Sequence, residues 1–301
     1  MIRCSIGVFA YNEEKNIRQI LTALENQALD TVSIEEITVV SSNSTDRTDE
    51  IVQEYARRNP KIRLIVQPER RGKSSAINLF LKEAQGEVLV IESADTIPAR
   101  DTVEKLVAPF KDEKIGMTGG RPQPVNSRKD FIGFAVCMLW KLHHKMALIS
   151  PKMGEMVAFR NIVKEIPEQS PVDEASIEAI IRAHGLKLKY VPDAIVHNKG
   201  PETLSDFIKQ RRRIYAGHLW LKDNQDYTVV SQKSMLILAL TLKELSWNLV
   251  TDIKILFTVF LEVAGRMLGW VDYKILKKNP YKWDIAKTTK CLDPNKTRGS
   301  S

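Results

Sequence analysis

The chain has 301 residues, 43% hydrophobic and 27% charged, a balance that excludes a disordered or collagen-like polypeptide and leaves room for one large α/β domain or two smaller ones. Its 45 basic and 37 acidic residues give a formal charge of +8, which suits an anionic partner such as a nucleotide diphosphate, nucleic acid or an anionic membrane face. Cys4, Cys137 and Cys291 lie far apart without a CxxC pair, which argues against zinc or a redox motif and fits a reducing compartment.

The N-terminus enters a strand at once, without the basic–apolar–cleavage pattern of a signal peptide. Strands are predicted over residues 4–9, 34–40, 62–67, 87–91 and 115–119. Helices are predicted over 16–27, 48–58, 74–84 and 102–110, the first from Ile17, Ile20, Leu21 and Leu24 at helical spacing. Thr45-Asp46 is placed to cap the second helix. Four βα units in a row argue for a parallel sheet covered on both faces.

After Gly120 the rhythm changes. Residues 121–127 read as a loop, 131–148 as a helix, 155–160 as a short strand and 173–184 as a helix. Residues 186–192 and 194–197 are extended, and 204–221 is a helix loaded with arginine. Further on, the apolar runs 235–242, 255–261 and 267–271 are interrupted by Lys243, Glu244, Asp252, Lys254, Glu262 and Arg266, so they read as amphipathic helices. No uncharged apolar run reaches the roughly 18 residues of a spanning helix. A tail with Lys274, Lys277, Lys278, Lys282, Lys287 and Lys290 interleaves Trp270, Tyr273, Tyr281 and Trp283, a pairing suited to a membrane–water interface. A helical cap or a dimer face would read the same way. Residues 297–301 look like an appended tail.

The run Val88-Leu89-Val90-Ile91-Glu92-Ser93-Ala94-Asp95 is a buried strand ending in acidic and small residues. Open α/β sheets bind ligands at that end, and a carboxylate there is costly unless a cation carrying diphosphate oxygens compensates it. A solvated turn is the plain alternative. The turn Tyr11-Asn12-Glu13-Glu14 and the cluster Ser41-Ser42-Asn43-Ser44-Thr45-Asp46 follow strands in the same way, and either could be an ordinary capping turn. Glu69-Arg70-Arg71-Gly72-Lys73 sets positive charge at a helix N-terminus, where only a bound anion makes it favourable. GxxxxGK[ST] and GxGxxG are both absent, which disfavours a Walker-type ATPase and a dinucleotide oxidoreductase.

In order and spacing these pieces resemble family 2 glycosyltransferases of the GT-A fold, over about residues 2–221. Gly72-Lys73 with Ala76 and Asn78, Gly154 with Ala158-Phe159-Arg160, Asp173-Glu174 and Gln210-Arg211-Arg212-Arg213 complete the likeness. The resemblance implies an α/β fold with a GT-A-like nucleotide-binding sheet over 1–221, divided into a nucleotide half (1–120) and an acceptor half (121–221); the residue pattern adds an amphipathic helical region over 222–296. It implies inverting transfer of a sugar from a UDP- or GDP-linked donor to a hydroxyl acceptor, with Mg²⁺ or Mn²⁺; the amphipathic, lysine-rich tail points to a lipid-linked or glycan acceptor at a membrane surface.

By the resemblance, Ala10, Tyr11, Glu13, Ser42, Lys73, Ala94, Asp95, Gln210 and Arg213 contact the nucleotide sugar. The family's first DXD aspartate is Ser93 here, so Asp95 is left as the single direct metal ligand, and strand alternation aims Glu92 the other way. Glu174 matches the general base, with Asp173 as second choice; a bland reading makes both mere helix-start acids. Ile214 stands where processive synthases carry a tryptophan, which argues against a polymerase. His197 reads as structural.

The expected place is cytoplasmic, peripheral at the inner face of the cell membrane, with contact through residues 235–290. No nucleic-acid partner is expected, because no aromatic–basic stripe crosses the sheet region. A sugar-phosphate nucleotidyltransferase is an alternative, disfavoured by the absence of a glycine-rich loop after the first strand. A non-catalytic sugar-nucleotide or membrane-binding module is another, kept open by Ser93 and Ile214.

Overall fold

The computed structural model describes residues 1–232, 234–281, Thr289 and Leu292. Lys282, Trp283, Lys287, Lys290 and Cys291, and the tail at 297–301, lie outside the described residues.

The first part follows the predicted alternation: β1 (Ile2–Ala10), α1 (Ile17–Glu25), β2 (Val32–Ser41), α2 (Thr48–Arg58), β3 (Ile62–Val66), α3 (Lys73–Glu83) and β4 (Val88–Ser93). These strands pair in parallel, with β1 between β2 and β4 and with β3 outside β2. There follow β5 (Thr96–Pro98), α4 (Thr102–Val107), β6 (Ile115–Pro124), α5 (Phe131–Ile149), β7 (Val157–Arg160), α6 (Asp173–Ala183), β8 (Lys187–Asn198), α7 (Leu204–Gln225), α8 (Ser234–Leu242) and α9 (Leu249–Trp270). One eight-stranded sheet in the order β3-β2-β1-β4-β7-β6-β8-β5 results.

The sheet is mixed rather than parallel. β7 inserts antiparallel between β4 and β6, and β5 runs antiparallel to β8. A short apolar run such as Val157-Ala158-Phe159 carries no information about strand direction; the path of the chain decides it. The expected loop at 121–127 is also corrected, because β6 runs on to Pro124 against β8. Its prolines are tolerated because β7 pairs with β6 only as far as Gly119, so beyond it one side of the strand is free. Pro192 falls where the β6–β8 register skips from Tyr190 to Ile195, so the two predicted extended pieces form one irregular strand.

Apolar side chains cover both sheet faces. Ile6, Val8 and Val39 pack with Ile20, Leu21 and Val52 of α1 and α2 on one side. On the other, Phe80 of α3 and Ile177 and Ile181 of α6 pack with Leu89, Ile91 and Phe159. Gly7 lets the Phe80 ring lie on the sheet, since a Cβ there would stand 2.8 Å from the ring.

The apolar runs predicted at 255–261 and 267–271 belong to one 22-residue helix, α9. Its Ile255, Thr258, Leu261, Gly265 and Gly269 are buried. A Cβ at Gly265 would lie 2.6 Å from the Arg211 Cβ, and one at Gly269 2.4 Å from the Arg212 carbonyl, so the glycines let α9 lie directly on α7. The other face of α9 exposes Leu249, Ile253, Leu256, Phe260, Val263, Met267 and Trp270. α5 alone among the described helices is long and apolar enough to cross a membrane, and half of it is buried inside the fold.

Candidate active site

A cleft of about 990 Å³ opens at the carboxyl ends of β1, β2 and β4 and continues between α5, α7 and α9. Ala10, Tyr11, Glu13, Ser42, Lys73, Asp95, Asp173, Glu174, Gln210 and Arg213 all line it. Ala94 does not: it is 1% exposed, packed in the core, with its N–H donating to the Phe9 carbonyl at 3.0 Å. It serves to hold Asp95 at the rim.

The turns after β1 and β2 are laced together. Asn12 adopts φ +54°, its N–H donates to Ser44 Oγ at 3.1 Å, and its Oδ1 accepts from Thr45 N–H at 2.8 Å. Glu13 N–H donates to Thr48 Oγ1 at 2.8 Å and Glu14 N–H to Asp46 at 3.1 Å. Asp46 also accepts from the Thr48 N–H at 3.0 Å just before α2, whose N-cap position is Arg47 rather than the predicted Thr45-Asp46. Ser44, Thr45 and Asp46 therefore shape the turn without lining the cleft. Ser42 does line it, with its hydroxyl donating to Gln67 at 2.8 Å. The Arg70 guanidinium, not assigned from sequence, lies 4.3 Å from the Tyr11 ring centroid on the same wall.

Lys73 is no solvated lysine. Its Nζ lies 2.6 Å from Asp173 and 3.0 Å from Glu174, and its side chain is 15% exposed. Burial disfavours the ammonium, but attraction to the two carboxylates overrides that and raises its pKa. The loop carrying the acids is fixed to α3: Asn78 donates to the Ile166 carbonyl at 2.8 Å and accepts its N–H at 2.9 Å, and Ser74 donates to the Ser170 carbonyl at 2.8 Å. Asp173-Glu174 opens α6 as the sequence indicated. Burial, then the Asp173 charge, raises the Glu174 carboxyl, with Lys73 opposing.

Arg213 sits at the centre of this charge. Burial pushes its guanidinium down to about 10, while Asp173, Glu174, Glu155 and Asp95 attract it. Its neighbours leave for other partners: Arg211 binds Glu262 at 2.6 Å, and Arg212 binds Asp272. Gln210 and Arg213 are three apart on α7 and share its cleft-facing side.

Glu92 is turned away from the cleft, as alternation required. It is fully buried and accepts from the Thr96 hydroxyl at 2.8 Å. Burial, with the Glu155 and Asp95 charges, pushes its carboxyl up to about 8. Glu155 lines the cleft, accepts from Asn198 at 3.0 Å, and is raised by burial and by Asp95. It escaped the sequence reading because it stands in no recognised spacing; its only signal was an acid beside Gly154. His197 pairs within the sheet opposite Ile97 and Gln123 and is not on the cleft wall.

Among the described residues no three His, Cys, Asp or Glu side chains gather as a metal cage. Asp95 and Glu155 both line the cleft, and Asp95 stands near enough to raise the Glu155 carboxyl. One or two carboxylates fit a divalent cation whose remaining ligands are phosphate oxygens and water.

Several known proteins resemble this chain in sequence or architecture. "Glycosyl transferase family 2" matches residues 5–160 and "Glycosyl transferase family group 2" residues 88–273. Probable glycosyltransferase YdaM of Bacillus subtilis (strain 168) is 29% identical over 239 residues, 74% of this chain and 55% of that protein. Dolichol-phosphate mannosyltransferase of Pyrococcus furiosus is 28% identical over 199 residues, 64% of this chain and 56% of that protein. The chain thus spans a little over half the length of these relatives. Mannosyltransferase PcManGT from Pyrobaculum calidifontis, solved with GDP-Man and Mn²⁺, superposes with TM-score 0.60 at 23% identity over 93% of this chain and 82% of its own. Glucosyl-3-phosphoglycerate synthase from Mycobacterium tuberculosis, solved with Mn²⁺, UDP and glucosyl-3-phosphoglycerate, superposes with TM-score 0.52 at 19% identity over 73% of this chain and 79% of its own. The curled mixed sheet with its flanking helices is the GT-A fold. By these matches and this architecture, the chain belongs to glycosyl transferase family 2.

Proposed function

We propose that the protein transfers a sugar, with inversion, from a UDP- or GDP-linked donor to a hydroxyl acceptor. The observation that carries this reading is the facing of Lys73 and Arg213 with Asp95, Asp173 and Glu174 across one cleft at the strand ends. Tyr11, Ser42 and Arg70 line the nucleotide side. Arg213 and Lys73 attract the diphosphate as negative charge builds on it, and such preorganised charge is the largest expected catalytic contribution. A divalent cation held by Asp95 would supply further charge neutralisation at the leaving group.

Glu174 takes the acceptor proton while the hydroxyl attacks the anomeric carbon from the face opposite the departing diphosphate. Its raised pKa makes it a stronger base than an ordinary carboxylate, and a base of this kind contributes about 10²- to 10⁴-fold. Lys73, ion-paired to Glu174 here, holds the carboxylate charged and oriented. Melting the protein with UDP, GDP and their sugars, with and without Mn²⁺, ranks the donors. Slow donor hydrolysis that survives Asp95→Asn unchanged, or stabilisation by no nucleoside diphosphate, defeats the reading.

The same reading seats the protein peripherally on the cytoplasmic face of a membrane. The exposed row on α9, with Met235, Leu238, Leu242 and Trp247 alongside, supports it, as do Lys274, Lys277 and Lys278 near its end. Pelleting with anionic liposomes at low salt is expected, and a protein that stays in the supernatant counts against it.

A further inference from the structure

Beyond Arg213 the cleft runs into a second charged recess that the transfer chemistry leaves unused. Lys152, Arg211, Arg266 and Glu262 line it, with His218 and Ser231. Glu262 is shared by Arg211 at 2.6 Å and Arg266 at 2.8 Å. Burial opposes its charge, but the two arginines prevail and hold its carboxyl down at about 2. One carboxylate therefore serves two guanidinium groups, and Lys152 has no ion pair or hydrogen bond among the described residues.

Nearby groups do not close the deficit. Glu178, the next nearest acid, is engaged by Met153 N–H at 3.0 Å and Tyr227 hydroxyl at 2.9 Å, and burial raises its carboxyl. His218 is pushed down to about 3 by burial and by Lys152, so it adds no charge but offers ring nitrogens. Ser231 is 8% exposed and its buried Oγ has no hydrogen-bond partner. Burial, reinforced by Arg211 and opposed by Glu178 and Glu262, drives the Lys152 ammonium down to about 8. Next to this recess the wall turns apolar, with Leu139, Trp140, Leu142 and Met146 of α5 and Ile237 of α8.

We propose that this recess binds a phosphate carried by the acceptor, beside the attacking hydroxyl, with the acceptor's apolar tail along α5 and α8. Three cations face two carboxylates, Glu262 shared by both arginines and Glu178 held by Met153 and Tyr227, and this excess matches a compact anion; the free serine hydroxyl and imidazole match its remaining oxygens. The proposal rests on the transfer reading above and narrows its acceptor to an amphiphile with hydroxyl, phosphate and tail together.

Three short-chain probes separate these features in titrations on the full chain with UDP or GDP and Mn²⁺ present. Dihexanoyl phosphatidylglycerol carries all three, dihexanoylglycerol lacks the phosphate, and glycerol 3-phosphate lacks the tail. Phosphatidylglycerol is expected to bind at least about tenfold more tightly than either of the others. Lys152→Met, which keeps the side-chain volume, should abolish the preference over dihexanoylglycerol, and Lys152→Arg should restore it. Equal Kd values for phosphatidylglycerol and dihexanoylglycerol overturn the phosphate assignment, as does an undiminished preference in Lys152→Met. Glycerol 3-phosphate binding as tightly as phosphatidylglycerol overturns the tail. Failure of every nucleoside diphosphate to bind defeats the transfer reading instead, which keeps the two failures apart.

Discussion

The strand-end rim of the cleft and the helical layer behind it handle charge in opposite ways. At the rim, Lys73 spans two carboxylates and Arg213 is drawn to four, so acids outnumber bases. In the helical recess, bases outnumber acids, and Glu262 alone answers Arg211 and Arg266. A rim rich in acid invites a cation with its diphosphate; a recess rich in base invites an anion. On the proposed reading the two ends of one cleft suit two different ligands, donor and acceptor, by what each lacks.

Measurements on both regions sharpen or break that contrast. The largest effect is expected at the rim: Glu174→Gln should lower kcat by about 10²- to 10⁴-fold while donor binding is retained. Retained turnover would move the base to Asp173. The wild-type kcat/KM should rise with pH through an inflection above the ordinary carboxylate range, because the raised Glu174 carboxyl must lose its proton to act. In Glu174→Gln that limb should vanish, and an identical profile would remove Glu174 from the assignment.

Next in size is the clamp behind the acids. Asn78→Ala leaves the Ile166 N–H and carbonyl unpaired in the interior and should cost about 2–3 kcal/mol in denaturant unfolding. In the helical layer, Gly269→Ala drives a methyl into the Arg212 carbonyl and should cost about 1–3 kcal/mol. Phe260→Ser, on the exposed side of the same helix, should change stability by no more than about 0.5 kcal/mol while weakening liposome pelleting. Equal destabilisation by both would mean that the exposed row is part of the core.

Glu92 provides a stability test with a definite sign. Its folded pKa of about 8 lies above the ordinary carboxylate value of 4.5, so the fold prefers the protonated form. That contribution is complete below the unfolded pKa and is lost as pH rises toward the folded one. The metal-free protein should therefore show a falling Tm between these values, and Glu92→Gln, which keeps the acceptor for Thr96, should flatten the fall. Parallel curves for the two proteins would show that Glu92 is ionised in the fold.

Much of this was legible from residue order. Alternation placed the elements through β4, the Val88–Asp95 run located the rim, and the family resemblance singled out Gln210 and Arg213 within the basic run of α7. The acid pair at the start of α6 was equally plain, because its motif is contiguous. Less legible were Glu155 and Lys152, each an isolated charged residue in a loop, while Arg70 was visible only as part of the basic run before α3. The Lys73 pairing was hidden as well, since it joins positions a hundred residues apart.

The amino-acid sequence determined the local pieces: periodicity, the turn chemistry at Asn12, and the family to which the motifs belong. Only the tertiary structure decided that β7 runs antiparallel, that Ala94 is core while Asp95 is rim, and which cation meets which carboxylate. The reason is physical. Helix and strand patterns arise from neighbours within a few residues, whereas burial and charge pairing are properties of the space into which distant segments are brought together.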